Sequence, residues 1–226
     1  MPFGYPVMLE VAGKRCVVIG DDAVREGKVE GLLAAGATDV LVIAEAPPTR
    51  LDELEHVGGV TVERRSWKCS DLNGAFVVIG ASRDAGERAA IAREARCRNA
   101  MVNVIDDIPN CDFAAPSVVR RGELLFAIGT GGASPALAKK IRVELEERYG
   151  PEWAEVARIL RHVREETRPS LPSFRERAER WSAALDPDEA AALVRDGRGD
   201  ELRRLLIDRL TGDRLPVDPD RKVERP

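Results

Sequence analysis

Two adjacent acids, Asp106 and Asp107, follow an apolar strand pattern and precede a break at Ile108-Pro109-Asn110. The strand pattern is Ala100-Met101-Val102-Asn103-Val104, and the whole stretch of interest covers residues 102–116. A carboxylate just past the C-terminal end of a strand lies where open α/β sheets place their ligands, and there it can accept a proton. The other reading is a strand entering an Asp/Asn/Pro turn, since those residues favour turns in any case. A second stretch, Gly129-Thr130-Gly131-Gly132-Ala133-Ser134-Pro135, runs into a helical pattern at 136–149. Ser134 suits the N-cap and Pro135 the first helical position. Bare glycine amides at a helix start form a concavity for anions, with Lys139, Lys140 and Arg142 adding positive charge; a flexible loop before an ordinary helix is the alternative.

The third candidate is the first strand-to-helix turn, Gly20-Asp21-Asp22-Ala23-Val24-Arg25. A dinucleotide loop places glycine at the first, third and sixth positions so that backbone can approach the pyrophosphate. Only Gly20 meets that demand, and Asp22 occupies the position of close approach. A carboxylate about 5 Å from a phosphate charge costs roughly 3 kcal/mol at an effective dielectric near 20. Arg25 is placed to offset part of this by pairing with Asp22 or a phosphate.

The elements that must position these residues alternate in type. Short apolar runs at 14–20, 40–43, 60–62, 76–80 and 100–104 read as strands; helical patterns occupy the region to Gly36, the surroundings of Leu54, and 83–98. Alternation of this kind implies right-handed crossovers and a parallel sheet, so residues 1–114 are expected to form a Rossmann-like, NAD-binding-type domain. Two apolar runs around Arg121-Gly122 read as a hairpin, and 115–150 as a small α+β segment. From Pro151 the chain is expected to be a helical domain to residue 211, with Trp153, Val156, Leu160 and Val163 as one apolar stripe. Residues 212–226 hold three prolines and eight charges, and disorder is expected there.

Composition excludes several classes. The 35 basic and 39 acidic residues alternate along the predicted helices, which fits solvated, pair-laced surfaces and no nucleic-acid footprint. Aromatics make up only 4%, so the core must be aliphatic and rich in alanine. Cys16, Cys69, Cys97 and Cys111 form no CxxC pair, and His56 and His162 are the only histidines, so no metal site is expected. Each cysteine is expected to be a small buried side chain, and scattered free thiols fit a reducing cytoplasm. His56 is expected on the surface. No signal peptide or membrane span is read.

Taken together, the Gly20 turn with Lys28, Asn103-Val104-Ile105-Asp106, Cys111-Asp112-Phe113, Pro116-Ser117-Val118 and Gly131-Gly132-Ala133-Ser134-Pro135 resemble the siroheme synthase dehydrogenase/chelatase module. That family is also called precorrin-2 dehydrogenase/sirohydrochlorin ferrochelatase, and the resemblance runs from about Tyr5 to about Leu210. It implies NAD-dependent oxidation of precorrin-2 to sirohydrochlorin, often followed by iron insertion at the same site, with Fe2+ then a substrate. It implies a homodimer, with 115–150 as the dimerisation and active-site segment, and, over these residues, no methyltransferase half.

Carried over residue by residue, Asp106 matches the family's essential aspartate. Gly20, Ala23, Val24, Glu45 and Ala46 match positions that touch the dinucleotide, and Thr130 falls where some members carry serine. The family has two glycines where this sequence has Asp21 and Asp22, and Ala and Arg where it has Arg25 and Gly27. Oxidation of the macrocycle removes a hydride and a proton, and metal insertion strips two pyrrole protons, so one carboxylate serves both. The substrate is a polycarboxylate; Thr130, Gly131, Gly132 and Ser134, with Arg120, Arg121 and Lys139, are its expected partners. Glu45 after the second strand favours a free ribose hydroxyl, as in NAD. Two rivals stay open: a chelatase or tetrapyrrole-binding protein that has lost NAD binding, and a Rossmann regulatory module for another ligand.

Overall fold

The computed structural model describes residues 4–22, 27–46, 50–171 and 173–212. They form two compact units, Met1–Ala115 and Pro116–Pro226, each described by itself. The expected tail from residue 213 onward, Ala23, Val24, Arg25 and the Pro47-Pro48 turn lie outside the described residues.

In the first unit β1 (Arg15–Ile19), β2 (Asp39–Ile43), β3 (Val60–Glu63), β4 (Ala75–Gly80) and β5 (Met101–Val104) make one sheet in the order β3-β2-β1-β4-β5. Every pairing is parallel, as the alternation of strands and helices predicts. The helices are α1 (Lys28–Ala34), α2 (Arg50–Val57) and α3 (Ala85–Cys97). Strand side chains alternate between two cores. Cys16, Val18, Val40, Val42, Val77 and Ile79 pack with Val29 of α1 and Leu51 of α2. Val17, Ile19, Leu41, Ile43, Val78, Val102 and Val104 pack with Ile91, Ala92 and Ala95 of α3. Both faces are covered, which is why these strands read as continuous apolar runs. Each fully buried Val, Leu or Ile contributes about 1.5–3 kcal/mol. Asp84 caps α3 by accepting the Glu87 amide at 2.7 Å.

The second unit opens with an antiparallel hairpin of β6 (Ser117–Arg121) and β7 (Leu124–Ile128), with Val119 opposite Phe126. Then come α4 (Pro135–Arg148), α5 (Glu152–Thr167), α6 (Phe174–Ala184), α7 (Pro187–Arg195) and α8 (Gly199–Thr211). Ser173 and Asp186 cap α6 and α7 with their side-chain oxygens. A helical core gathers Val156, Ile159, Val163, Leu193, Leu202, Leu206 and Leu210. The buried line of α5 is Val156, Ile159, Val163 and Thr167. Ile159, not Leu160, is therefore its centre, and Leu160 packs only at the edge. Thr167 is tolerated because its hydroxyl donates to the Val163 carbonyl at 2.8 Å.

The cysteine expectation needs correction. Cys16 is buried and Cys111 half-buried, but Cys69 and Cys97 are exposed. Both of these flank turns: Cys69 opens a short 3-10 segment and Cys97 ends α3, where side chains face outward. His56 is exposed, as expected. Among the described residues no group of three or more His, Cys, Asp or Glu side chains could hold a metal. None of the described helices is long and apolar enough to cross a membrane.

Candidate functional site

Chain connections leave β1 and β4 in opposite directions along the sheet, β1 toward β2 and β4 toward β5, so a crevice opens between their C-terminal ends. Gly20 ends β1 with φ 96°, and a Cβ built there would lie 2.1 Å from the Ala81 carbonyl oxygen. Only glycine lets the two strand ends approach this closely. The cleft above has a volume of about 460 Å3 and includes Asp21, Asp22 and Glu45 among its lining.

Most of these polar groups already have partners. Asp21 accepts the Ala46 amide at 3.1 Å, and the Ser66 hydroxyl donates to Glu45 at 2.5 Å. Asp22 pairs with Arg83 at 3.8 Å, an arginine from the loop after β4; the expected Arg25 lies outside the described residues. Glu87, in the first turn of α3, accepts the Trp67 indole N–H at 2.8 Å and the Ser82 hydroxyl at 2.5 Å, which fixes Trp67 as one wall. Arg65 is turned onto Asp71 through two bonds of 2.8 Å. That pair raises the Arg65 pKa and holds the Asp71 carboxyl below its ordinary range, chiefly through the hydrogen bonds between them.

Gly20, Glu45 and Ala46 thus sit at the crevice. Arg65, Ser66, Trp67, Ser82, Arg83 and Glu87 were not expected there. Their sequence signal was position alone: they follow the third and fourth strands, whose C-terminal ends face the same edge.

Asp106 emerges on this edge too. The ladder continues past β5, with the Ile105 amide donating to the Gly80 carbonyl at 2.9 Å. The chain then turns, the Asp107 amide reaching back to the Val104 carbonyl at 3.2 Å. Asp106 adopts φ 58°, one of two non-glycine residues with positive φ among the described residues. Its side chain is exposed and has no hydrogen-bond or ion-pair partner among the described residues. Two strand spacings, about 10 Å, separate this strand from β1.

The neighbouring acid is structural. Asp107 accepts from Asn110 Nδ2 at 3.0 Å and from Arg88 Nε at 2.9 Å. The Asn110 bond and then the Arg88 guanidinium hold its carboxyl below the ordinary range. The stability this gives is present above the unfolded-state pKa and lost as pH falls through the lowered native one. Asp107→Ala should therefore cost about 1–2 kcal/mol at neutral pH and less in acid, read by urea unfolding at the two pH values.

Around this turn the Cys111 thiol lies 3.1 Å from both the amide and the carbonyl of Val104, and burial pushes its pKa up. Asn103 donates to the Phe113 carbonyl at 2.9 Å, and Asp112 binds Arg96 at 2.8 Å. The polar residues around Asp106 are spent on holding the turn.

In the second unit residues 130–133 form a tight turn, closed by the Ala133 amide on the Thr130 carbonyl at 3.0 Å. Gly131 and Gly132 take φ 61° and 82°. The Thr130 hydroxyl accepts the Ser134 amide at 3.2 Å, and the Ser134 hydroxyl accepts the Leu137 amide at 3.1 Å, capping α4. The amides of Gly131, Gly132 and Ala136 have no partner among the described residues. Ser134→Ala should cost about 1 kcal/mol, seen as a fall of about 2–4 °C in thermal midpoint.

Lys139 and Arg120 are exposed. Arg121 is engaged elsewhere in the fold, donating to the Tyr149 carbonyl at 2.7 Å and the Glu146 carbonyl at 3.2 Å at the end of α4. A hollow of about 310 Å3 on α5 and α8 carries Arg158 and Arg203, each already paired with a glutamate.

A family model described as "Putative NAD(P)-binding" matches residues 7–117. The siroheme synthase of Methylococcus capsulatus is 32% identical over 203 residues, 90% of this chain and 42% of that one. That of Chromobacterium violaceum is 30% identical over 202 residues, 87% and 41% respectively. Siroheme synthase 1 of Pectobacterium atrosepticum is 32% identical over 216 residues, 94% and 45%. The chain thus spans less than half the length of these curated relatives. Among solved structures, the precorrin-2 dehydrogenase SirC superposes with a TM-score of 0.59 at 22% identity, over 92% of this chain and 98% of that one, a likeness of fold. By sequence the chain is similar to siroheme synthases over about nine-tenths of its own length, with this likeness of fold beside it.

Proposed function

We propose that this chain is a cytoplasmic, NAD-dependent precorrin-2 dehydrogenase, oxidising the macrocycle to sirohydrochlorin with Asp106 as proton acceptor. The observation that carries the reading is the contrast between two adjacent acids. Asp107 is tied by Arg88 and Asn110, whereas Asp106 is exposed, has no partner among the described residues and adopts a left-handed conformation. Left-handed backbone is unfavourable for most L-residues by about 1–2 kcal/mol, and residues held there cluster at functional sites.

The crevice fits a dinucleotide in its place on the sheet and in its approach at Gly20. Gly20, Ala46 and Glu45 would hold it, Glu45 through a ribose hydroxyl, and when bound it accepts the hydride. The chain's own residues do the rest. Asp106 takes the proton lost from the ring. Amides of Gly131 and Gly132 and the side chains of Lys139 and Arg120 are suited to the substrate's carboxylates. Exposed Val118, Leu137 and Val143 on β6 and α4 support a homodimer through this segment.

A second reading keeps the macrocycle and drops the redox step, leaving a chelatase for which Fe2+ is the other substrate. The carboxylate of Asp22 at the crevice favours it. Titrating NAD and NADP into the protein separates the two. The dehydrogenase predicts saturable binding with NAD preferred; no binding of either would sink it.

A further inference from the structure

The turn that carries Asp106 is tied at both ends to one sulfur atom. β5 is the last strand in the sheet order, so among the described residues no further strand pairs with its outer side. The chain returns to serve the amides and carbonyls there. Asp112 donates its amide to the Val102 carbonyl at 2.7 Å and accepts the Val102 amide on its carboxylate at 3.1 Å. Cys111 does the same for Val104, its Sγ lying 3.1 Å from the amide and 3.1 Å from the carbonyl. That sulfur is also 3.3 Å from the Asp107 carbonyl. It therefore bonds to backbone on both sides of Asp106. Burial, reinforced by the carboxylates of Asp107 and Asp112, pushes the Cys111 pKa up. The group stays a neutral thiol, with a proton for a carbonyl and a lone pair for the amide. The Asp106 carboxylate has no partner among the described residues, so its backbone alone aims it. That backbone sits at φ 58°, which persists only where its surroundings hold it.

We propose that Cys111 is a positioning residue for the proton transfer. By bonding through its sulfur to the peptides that flank Asp106, it holds the left-handed turn and fixes the direction of the carboxylate. This rests on the reading of Asp106 as proton acceptor. The claim concerns bonding and not bulk, and two substitutions divide those. Cys111→Ser keeps a donor and an acceptor at a smaller size. Cys111→Val fills the space and bonds to nothing, and the extended backbone at this position (φ -110°, ψ 140°) suits a β-branched residue.

The test compares kcat and KM for precorrin-2, at saturating NAD and below the thermal midpoints, in wild type and the two variants. Cys111→Val should lower kcat about tenfold or more, with KM and NADH affinity within about twofold of wild type. Cys111→Ser should stay within about threefold of the wild-type kcat, because its hydroxyl can remake the bonds. If the thiol were only packing, the order would reverse, with valine active and serine impaired. That reversal overturns the proposal and leaves Asp106 as proton acceptor. So do a serine variant as slow as valine, and a rise in KM at unchanged kcat. Should Cys111→Val not fold, Cys111→Ala carries the same expectation. No oxidation by wild type, or full oxidation by Asp106→Asn, overturns the proposal and the Asp106 reading together.

Discussion

Asp106→Asn should lower the rate of precorrin-2 oxidation by about 100-fold to 10,000-fold, the range that a positioned general base contributes. Asparagine is nearly the same size, and at φ 58° it is at least as comfortable as aspartate, so the turn after β5 should survive. The exposed carboxylate has no partner among the described residues, so its removal leaves no buried group unsatisfied. Stability and NADH affinity should therefore match wild type while single-turnover oxidation collapses. Asp107→Ala should show the opposite profile, a less stable protein whose proton acceptor is intact, because Asp107 serves Arg88 and Asn110. Equal rates for Asp106→Asn and wild type would assign the chemistry to another group.

Gly20→Ala should be the most damaging single methyl in the first unit. Its Cβ would lie 2.1 Å from the Ala81 carbonyl, and φ 96° is strained for any L-side chain. Strain and overpacking each cost about 1–3 kcal/mol, so a loss of about 3 kcal/mol or more is expected in urea unfolding. The neighbouring ladder bonds, Gly20 amide to Ile43 carbonyl at 2.8 Å and Ala81 amide to Ile19 carbonyl at 2.9 Å, must stretch to relieve the clash. Those bonds shape the crevice floor, so dinucleotide binding should fail together with stability. Wild-type unfolding by the alanine variant would mean that β1 and β4 do not approach as described.

The sheet was readable because its strands are buried on both faces and so appear as apolar runs ending in turn residues, as in Val17-Val18-Ile19-Gly20. Caps were readable for the same local reason: Ser134 and Pro135 state the start of α4 by themselves. What spacing could not supply was pairing at a distance. Asp106 and Asp107 are identical in type and adjacent in sequence, and Arg88, nineteen positions upstream, together with Asn110 separates their roles. Arg121 likewise reads as an open cation until the carbonyls of Glu146 and Tyr149 are seen beside it. Arg83, which pairs with Asp22, comes from the loop after another strand, a pairing that no local spacing announces. Loop residues such as Trp67 and Glu87 carry no periodic signal, so their place at the crevice follows only from the strand order.

Anaerobic incubation of the protein with precorrin-2, with and without NAD, followed by absorbance, tests the central claim most directly. The account predicts conversion to sirohydrochlorin only when NAD is present, with equimolar reduced dinucleotide. An unchanged macrocycle spectrum in the presence of saturating NAD would contradict it.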